Sequence, residues 1–478
     1  MTSTVPGNPS TTSDLVDLPA LGPAGEYRTR NRELITDAGG APLAEVSIVP
    51  ALYVARSIAA QRKTRPMPEA SRERALAKAA AIFRTSEIGG LDFDTYVLLA
   101  CRASGLPITV ARAGACDVAG AAAAALDAVR PARPVGAMAD WRDVASPIGG
   151  AVWVRRGEVF AVHASGNAPG VHGSWPQALA LGYRVAVRPS RREPFTAHRL
   201  VHALREAGFR PEDATYLPTD HAGAHGIVDA ADLAMVYGGS DVVDKYANDR
   251  TVFVNGPGRT KLLITADHDW RDYLDVIVDS VVGLGGTACT NATAVLYEGD
   301  AAPLAEAIAD RLSVIEPLPN TDDRAILPTQ PIVRARAVAS YLAAKAVGAQ
   351  PVLDADQIVA DVGHGHAALR PAVHLLAGPD IGKLNIELPF PCVWVSPWSR
   401  SDGVEPLRHS LVLNAITADS DLIGELVSDS TIANVYSGRF PTYQSAPNLP
   451  HDGYLADFLM RNKGVRTELR SAAATARQ

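Results

Sequence analysis

Residues 283–295, GLGGTACTNATAV, put one of the chain's four cysteines inside a run of glycines and small hydroxyl residues. A structural cysteine behaves as a small hydrophobe and keeps apolar company. Cys289 instead sits between Ala288 and Thr290, with Gly285, Gly286 and Asn291 close by, so its sulfur has room for a reaction partner. A thiolate in such a setting attacks a carbonyl carbon: an aldehyde gives a thiohemiacetal, and a thioester gives an acyl-enzyme. The competing reading is an inert, half-buried thiol. Cys101 and Cys116 fall on Ala-rich amphipathic segments, where a thiol serves helix packing. Together with Cys392, the cysteines are too scattered for a disulfide framework or a CxxC metal knuckle.

Other patterns with chemical meaning are weaker. Two stretches match a dinucleotide fingerprint, GLGGTA from Gly283 and GHGHAA from Gly363. The first follows a helical pattern instead of a strand, and Pro371 interrupts the helix that should follow the second. His221 with His225, and His364 with His366, lack cysteines or paired carboxylates at metal-ligand spacing, so no metal site is expected. In ADHDWRD, from Asp267 to Asp272, an aspartate between strand and helix reads as an N-cap before it reads as a cation ligand. Neither a GxSxG elbow nor a P-loop occurs.

The scaffold around Cys289 is legible from the rest of the chain. At 478 residues it exceeds one ordinary core, and 47% hydrophobic with 20% charged residues is a globular composition. A net charge of −7 with a pI near 6.0 offers no basic footprint for nucleic acid. No apolar run reaches the ~18 residues of a membrane span, and the first fourteen residues lack the apolar centre of a secretory signal. A cytoplasmic protein with a loose N-terminal tail is expected. Residues 69–130 read as helices. After residue 150 the pattern alternates: YRVAVRP as strand, EPFTAHRLVHALREAG as helix, DLAMVYGG as strand, SDVVDKYAND as helix, KLLITA as strand. Such alternation implies right-handed crossovers and a parallel sheet. A second series runs from TAVLYEG to LRHSLVLNAITAD, so two α/β domains are expected.

Five stretches in order, VHASGNAPG, WPQALALGYRVAVRPSRREPFTA, VYGGSDVVDKYAND, GGTACTN and IELPFP, resemble the successive signatures of the aldehyde dehydrogenase superfamily. The extended GNAPG segment and the glycines before the cysteine are most similar to the acyl-CoA reductases related to the bioluminescence fatty-acyl reductase. The resemblance implies an aldehyde dehydrogenase-like α/β fold of two parallel, Rossmann-like domains plus a small β oligomerisation element. Its boundaries here would be a tail at 1–14, a dinucleotide-binding domain at 15–260, a catalytic domain at 261–455 and a C-terminal strand and tail at 456–478. A hairpin at 140–158 would pair with the strand near GVRTEL of a partner subunit, in a homodimer or tetramer.

Residue by residue, the resemblance makes Cys289 the nucleophile. It gives Asn167 the task of holding the oxyanion together with the Cys289 backbone N–H, a donor worth about 3 kcal/mol; on its own, Asn167 reads equally as a turn residue. Arg188, Ser190 and Arg191 of RPSR fall on the adenosine-binding turn. Arg191 replaces an acid that pairs with ribose hydroxyls, and an arginine pairs with a 2'-phosphate, so NADP is implied over NAD. Gly239 and Ser240 would meet the pyrophosphate at a helix start, with Asp241 as a cap. Glu387 and Phe390 would hold the nicotinamide ribose and flank the ring.

One departure is informative. Hydrolytic members carry a glutamate in ELGGK that activates water, whereas TVFVNGPGRTK has Val254 and Asn255 there and no carboxylate from Thr251 to Lys261. Without that base an acyl-enzyme should persist until a thiol, CoA or a carrier's pantetheine arm, exchanges with it. The expected reaction is reduction of an acyl thioester to an aldehyde. Two alternatives stay open: oxidation of an aldehyde to the free acid without acylation, and a catalytically inactive relative that binds a dinucleotide or a partner.

Overall fold

The computed structural model describes residues 15–143, 146, 148–353, 358–446 and 448–468. The tail assigned to 1–14 and the end of the C-terminal segment, 469–478, lie outside the described residues.

Two seven-stranded sheets carry the fold. The first runs from edge to edge as Val252–Asn255, Leu233–Tyr237, Val159–His163, Arg184–Arg188, Ala214–Tyr216, Ala20–Gly22 and Gly25–Tyr27. Its first five strands are parallel and the last two join antiparallel. The second runs Gln350–Leu353, Ala372–Leu375, Cys392–Pro397, Ala292–Tyr297, Thr260–Ile264, Val412–Ile416 and Asn434–Tyr436. It is parallel except at the Gln350–Leu353 edge.

Strands covered by helices on both faces have no polar side to show, which is why these read as apolar runs. Successive side chains alternate between two cores. In Val159–His163, Phe160 and Val162 enter the core beneath the helices Glu69–Thr85, Ile108–Ala123 and Phe195–Ala207. Val159 and Ala161 enter the core beneath Ala51–Lys63 and His221–Ala230. In the second sheet Leu296 and Val295 divide in the same way. Among the described residues no helix is long and apolar enough to cross a membrane.

Two features lie outside the sequence reading. The first is a three-stranded sheet of Val16–Leu18, Pro42–Ser47 and Arg32–Thr36 near the N-terminus. It is stitched to the first large sheet where Val49 bridges Thr219 and Val49 N donates to Pro218 O at 2.8 Å. The second lies at the segment expected as a hairpin over 140–158, where Gly150–Arg155 forms a strand that pairs antiparallel with Met460–Val465, which includes the start of GVRTEL. The short helix Leu455–Leu459 explains this pairing. It buries Leu455, Ala456 and Leu459, and Arg156 N donates to Leu459 O at 3.0 Å, so the chain is led back onto that strand.

Candidate active site

The strands of the first sheet end where those of the second begin. Asn167, Arg188 to Arg191, and Gly239 with Ser240 follow or close strands of the first sheet at its carboxyl edge. Gly258, Cys289, Glu387 and Phe390 immediately precede strands of the second at its amino edge. The link between the sheets is only Gly256 to Arg259. The first sheet also reverses order beside Val159–His163, since the chain continues to Arg184–Arg188 on one side and later returns to Leu233–Tyr237 on the other. Open α/β sheets bind ligands in the crevice such a reversal leaves at the carboxyl ends.

The glycines before Cys289 serve its turn. Leu284, Gly285 and Gly286 are successively left-handed, with φ of 53°, 76° and 64°, a conformation glycine adopts freely. A Cβ on Gly286 would lie 2.6 Å from Pro391 Cγ, and one on Gly283 would lie 2.3 Å from the Tyr443 ring. Asn291 then locks the turn: its Oδ1 accepts from Ala288 N at 2.9 Å, and its Nδ2 donates to the carbonyls of Ser280 at 3.1 Å and Gly283 at 2.7 Å. Thr260 Oγ1 donates to Cys289 O at 2.9 Å.

Gly258 approaches the same oxygen so closely that a Cβ would stand 2.0 Å from it. Gly258→Ala must therefore push the link and the cysteine turn apart. We expect a loss of about 1–3 kcal/mol of stability, as in other overpacked sites, seen as a lower Tm, with kcat reduced at least about tenfold. Unchanged kinetics in the folded variant would show that this contact does not position the sulfur.

Cys289 Sγ lies 3.3 Å from His451 Nε2, and His451 Nδ1 lies 2.5 Å from Asp452 Oδ2. Asp452 Oδ1 also accepts from Gly256 N at 3.4 Å, and Asn434 Nδ2 donates to His451 O at 2.6 Å. The pair is thus tied to the link between the sheets and to the edge strand of the second. Burial opposes charge on His451, but the Asp452 carboxylate and Cys289 outweigh it and raise the imidazole well above its ordinary value. The side chain is nevertheless 45% exposed, so its desolvation is only partial. Tyr237, at the end of its strand, lies close enough to Asp452 and Cys289 to feel both charges, and its hydroxyl donates to Val171 O at 2.9 Å. Asn255 is buried, and its Nδ2 has no hydrogen-bond partner among the described residues.

The residues singled out in the sequence are placed as follows. Asn167 follows the strand ending at His163, and its Oδ1 accepts from Ser165 Oγ at 2.6 Å. Arg188 is buried with Nη1 against His163 Nε2, while its Nε has no partner among the described residues. Ser190 Oγ accepts from Arg192 N at 3.2 Å. Arg191 Nε pairs with Glu33 Oε2 at 3.1 Å, and its side chain is half exposed. Gly239 precedes the helix Ser240–Tyr246. Glu387 Oε1 accepts from Gly258 N at 3.0 Å, and burial pushes this carboxyl up despite the N–H groups of Arg259 and Gly258. Glu387 and Phe390 line one pocket with Ala288 and Asn291, which flank Cys289 in the chain. The GHGHAA stretch is a turn between the antiparallel strands Val359–Gly363 and His366–Leu369.

His451, Asp452 and Glu33 were missed. His451 is one of twelve histidines, and no spacing rule joins position 451 to position 289. The one available signal was chemical, since a nucleophilic thiol calls for an imidazole beside it.

Residues 45–395 match the model of the aldehyde dehydrogenase family. The chain is 25% identical over 205 residues to a probable methylmalonate-semialdehyde/malonate-semialdehyde dehydrogenase [acylating], mitochondrial, of Caenorhabditis elegans, covering 40% of this chain and 39% of that one. It is 27% identical over 135 residues to malonate-semialdehyde dehydrogenase 2 of Bacillus mycoides (strain KBAB4), covering 27% of this chain and 28% of that one. The matches thus span well under half of these relatives' own length. In three dimensions, 1-pyrroline-5-carboxylate dehydrogenase from Thermus, solved with bound NAD, superposes with a TM-score of 0.77 over 97% of this chain and 99% of that one. Its sequence identity is 16%, a likeness of fold.

Proposed function

The chain belongs to the aldehyde dehydrogenase family, and we propose that it interconverts an acyl thioester and an aldehyde through an acyl-enzyme on Cys289. The observation that carries this reading is the base at the sulfur. An imidazole raised by Asp452 stands 3.3 Å from Cys289, while the stretch from Thr251 to Lys261 holds no carboxylate. An imidazole held between a carboxylate and the sulfur is placed to give a proton to a departing thiolate and to take it back from an incoming thiol. The chemistry therefore favours exchange with a thiol over hydrolysis. The acylating activity in the name of the Caenorhabditis elegans relative agrees with that preference.

In the reductive direction the Cys289 thiolate attacks the thioester carbonyl carbon. Asn167 and the Cys289 backbone N–H stabilise the oxyanion that develops. The carbon–sulfur bond to the substrate thiol breaks, and His451 gives that thiolate its proton, leaving the acyl group on Cys289. A nicotinamide dinucleotide held by these residues would supply the hydride for this acyl group. Expulsion of the Cys289 thiolate then releases the aldehyde and restores the nucleophile. Run backwards, the same groups oxidise an aldehyde onto CoA or a carrier's pantetheine arm.

The residues present fit a dinucleotide. Arg188, Ser190 and Arg191 stand at the carboxyl edge of the first sheet, and the buried Arg188 Nε has no hydrogen-bond partner among the described residues. Gly239 and Ser240 would take the pyrophosphate, and Glu387 and Phe390 the nicotinamide riboside. The test is thiol dependence. With an acyl-CoA and reduced cofactor, aldehyde and free CoA should form one for one, and oxidation of the aldehyde should need added CoA. Free acid formed at a comparable rate without CoA would overturn the thioester reading in favour of a non-acylating dehydrogenase.

A further inference from the structure

Arg191 has no acid next to it in the RPSR turn, yet the fold brings one from far away. Glu33 Oε2 lies 3.1 Å from Arg191 Nε, with the side chains 27% and 49% exposed. Glu33 belongs to the strand Arg32–Thr36, in register with Val46 of Pro42–Ser47. This small sheet is anchored at both ends. Thr219 Oγ1 donates to Val49 O at 2.8 Å, and Asp37 pairs with Arg102 at 2.8 Å and lies 3.6 Å from His366 Nε2. The Glu33 carboxylate is therefore held at the carboxyl edge of the first large sheet. Glu33, Pro189, Ser190, Arg191 and Thr219 line one shallow pocket there.

At such an edge a carboxylate accepts hydrogen bonds from ribose hydroxyls, and an arginine pairs with a 2'-phosphate. Here the two residues are set against each other. We propose that Glu33 decides which dinucleotide the chain takes: it neutralises Arg191 and accepts from the adenosine 2'-hydroxyl, which holds the site to NAD(H). This reverses the preference that Arg191 alone implies. A 2'-phosphate carries up to about two negative charges, and to pair with Arg191 it must stand beside the Glu33 carboxylate. As a mere surface ion pair the contact would add little to stability; at the mouth of a ligand pocket it sorts ligands by charge.

The inference rests on the dinucleotide-binding reading above, and a binding titration separates the two. NADH and NADPH are titrated into the full chain and followed by nicotinamide fluorescence, which needs no turnover. The unaltered chain binds NADH more tightly than NADPH. Glu33→Gln, nearly isosteric, lowers the Kd ratio of NADPH to NADH at least about tenfold, the effect of roughly one unpaired charge. Arg191→Gln raises that ratio, because Glu33 then faces the phosphate alone. A ratio that fails to move in either variant, or a native preference for NADPH, overturns the role of Glu33 and leaves dinucleotide binding intact. Binding of neither nucleotide overturns both.

Discussion

Cys289→Ala abolishes turnover in both directions, by about 10⁴-fold or more, while NADH binding changes less than about twofold. The size follows from the chemistry: every covalent step passes through this sulfur, and the alanine methyl cannot form the thioester. The turn itself should survive the change, because Asn291, Thr260 and the left-handed Leu284–Gly286 segment hold it through backbone groups. Mass spectrometry supplies the direct check. The unaltered protein incubated with an acyl-CoA without reductant should gain one acyl group on the peptide containing Cys289, and the variant should gain none. A variant that keeps a tenth of the activity would remove Cys289 from the mechanism.

Replacing His451 by Gln should cost about 10²-fold in kcat/KM, the usual range for a general acid in place, and should also change the pH profile. The folded-state value of His451 is raised by Asp452 and Cys289, so the proton it donates is present below its ordinary value of about 6.5 and persists above it. Activity that depends on this proton is full at low pH and falls as pH rises through the raised value. His451→Gln removes that descending limb. Asp452→Asn keeps the ring but takes away the carboxylate 2.5 Å from Nδ1, so the limb should move to lower pH with a smaller loss of rate, about tenfold. A descending limb that stays in place in Asp452→Asn would show that another group carries it. The same linkage applies to folding: the stability from the His451–Asp452 pair is fully present below the unfolded value of about 6.5 and is lost as pH rises through the raised one.

The glycines of GLGGTACTN could be read from sequence because a left-handed turn and a close approach can be met only by a residue without a side chain. The turn indeed needs Gly283 and Gly286 free of Cβ atoms. The two parallel sheets were legible for a similar reason. A strand covered on both faces reads as mostly apolar, and in Arg184–Arg188 and Thr260–Ile264 every position is buried, including the charged residues at or next to their ends. Local pattern could not show what satisfies those ends. Lys261 Nζ finds Arg259 O at 3.1 Å, with Arg408 O and Ser410 Oγ at 3.0 Å, all on turns brought together by packing. Nor could pattern predict that Met460–Val465 pairs with Gly150–Arg155, some 300 residues away, since the docking of Leu455–Leu459 brings the two together.

By itself the sequence determined the glycine-rich turn that carries Cys289, the absence of a carboxylate from Thr251 to Lys261 and the α/β plan, because each depends on residue type or on a period of a few residues. The tertiary structure alone decided which groups surround the sulfur and the cofactor turn. His451 lies 162 residues from Cys289 and Glu33 lies 158 residues from Arg191, yet they stand 3.3 Å and 3.1 Å away. Charge acts through distance in space, and over such separations only the packing of the lobes sets that distance.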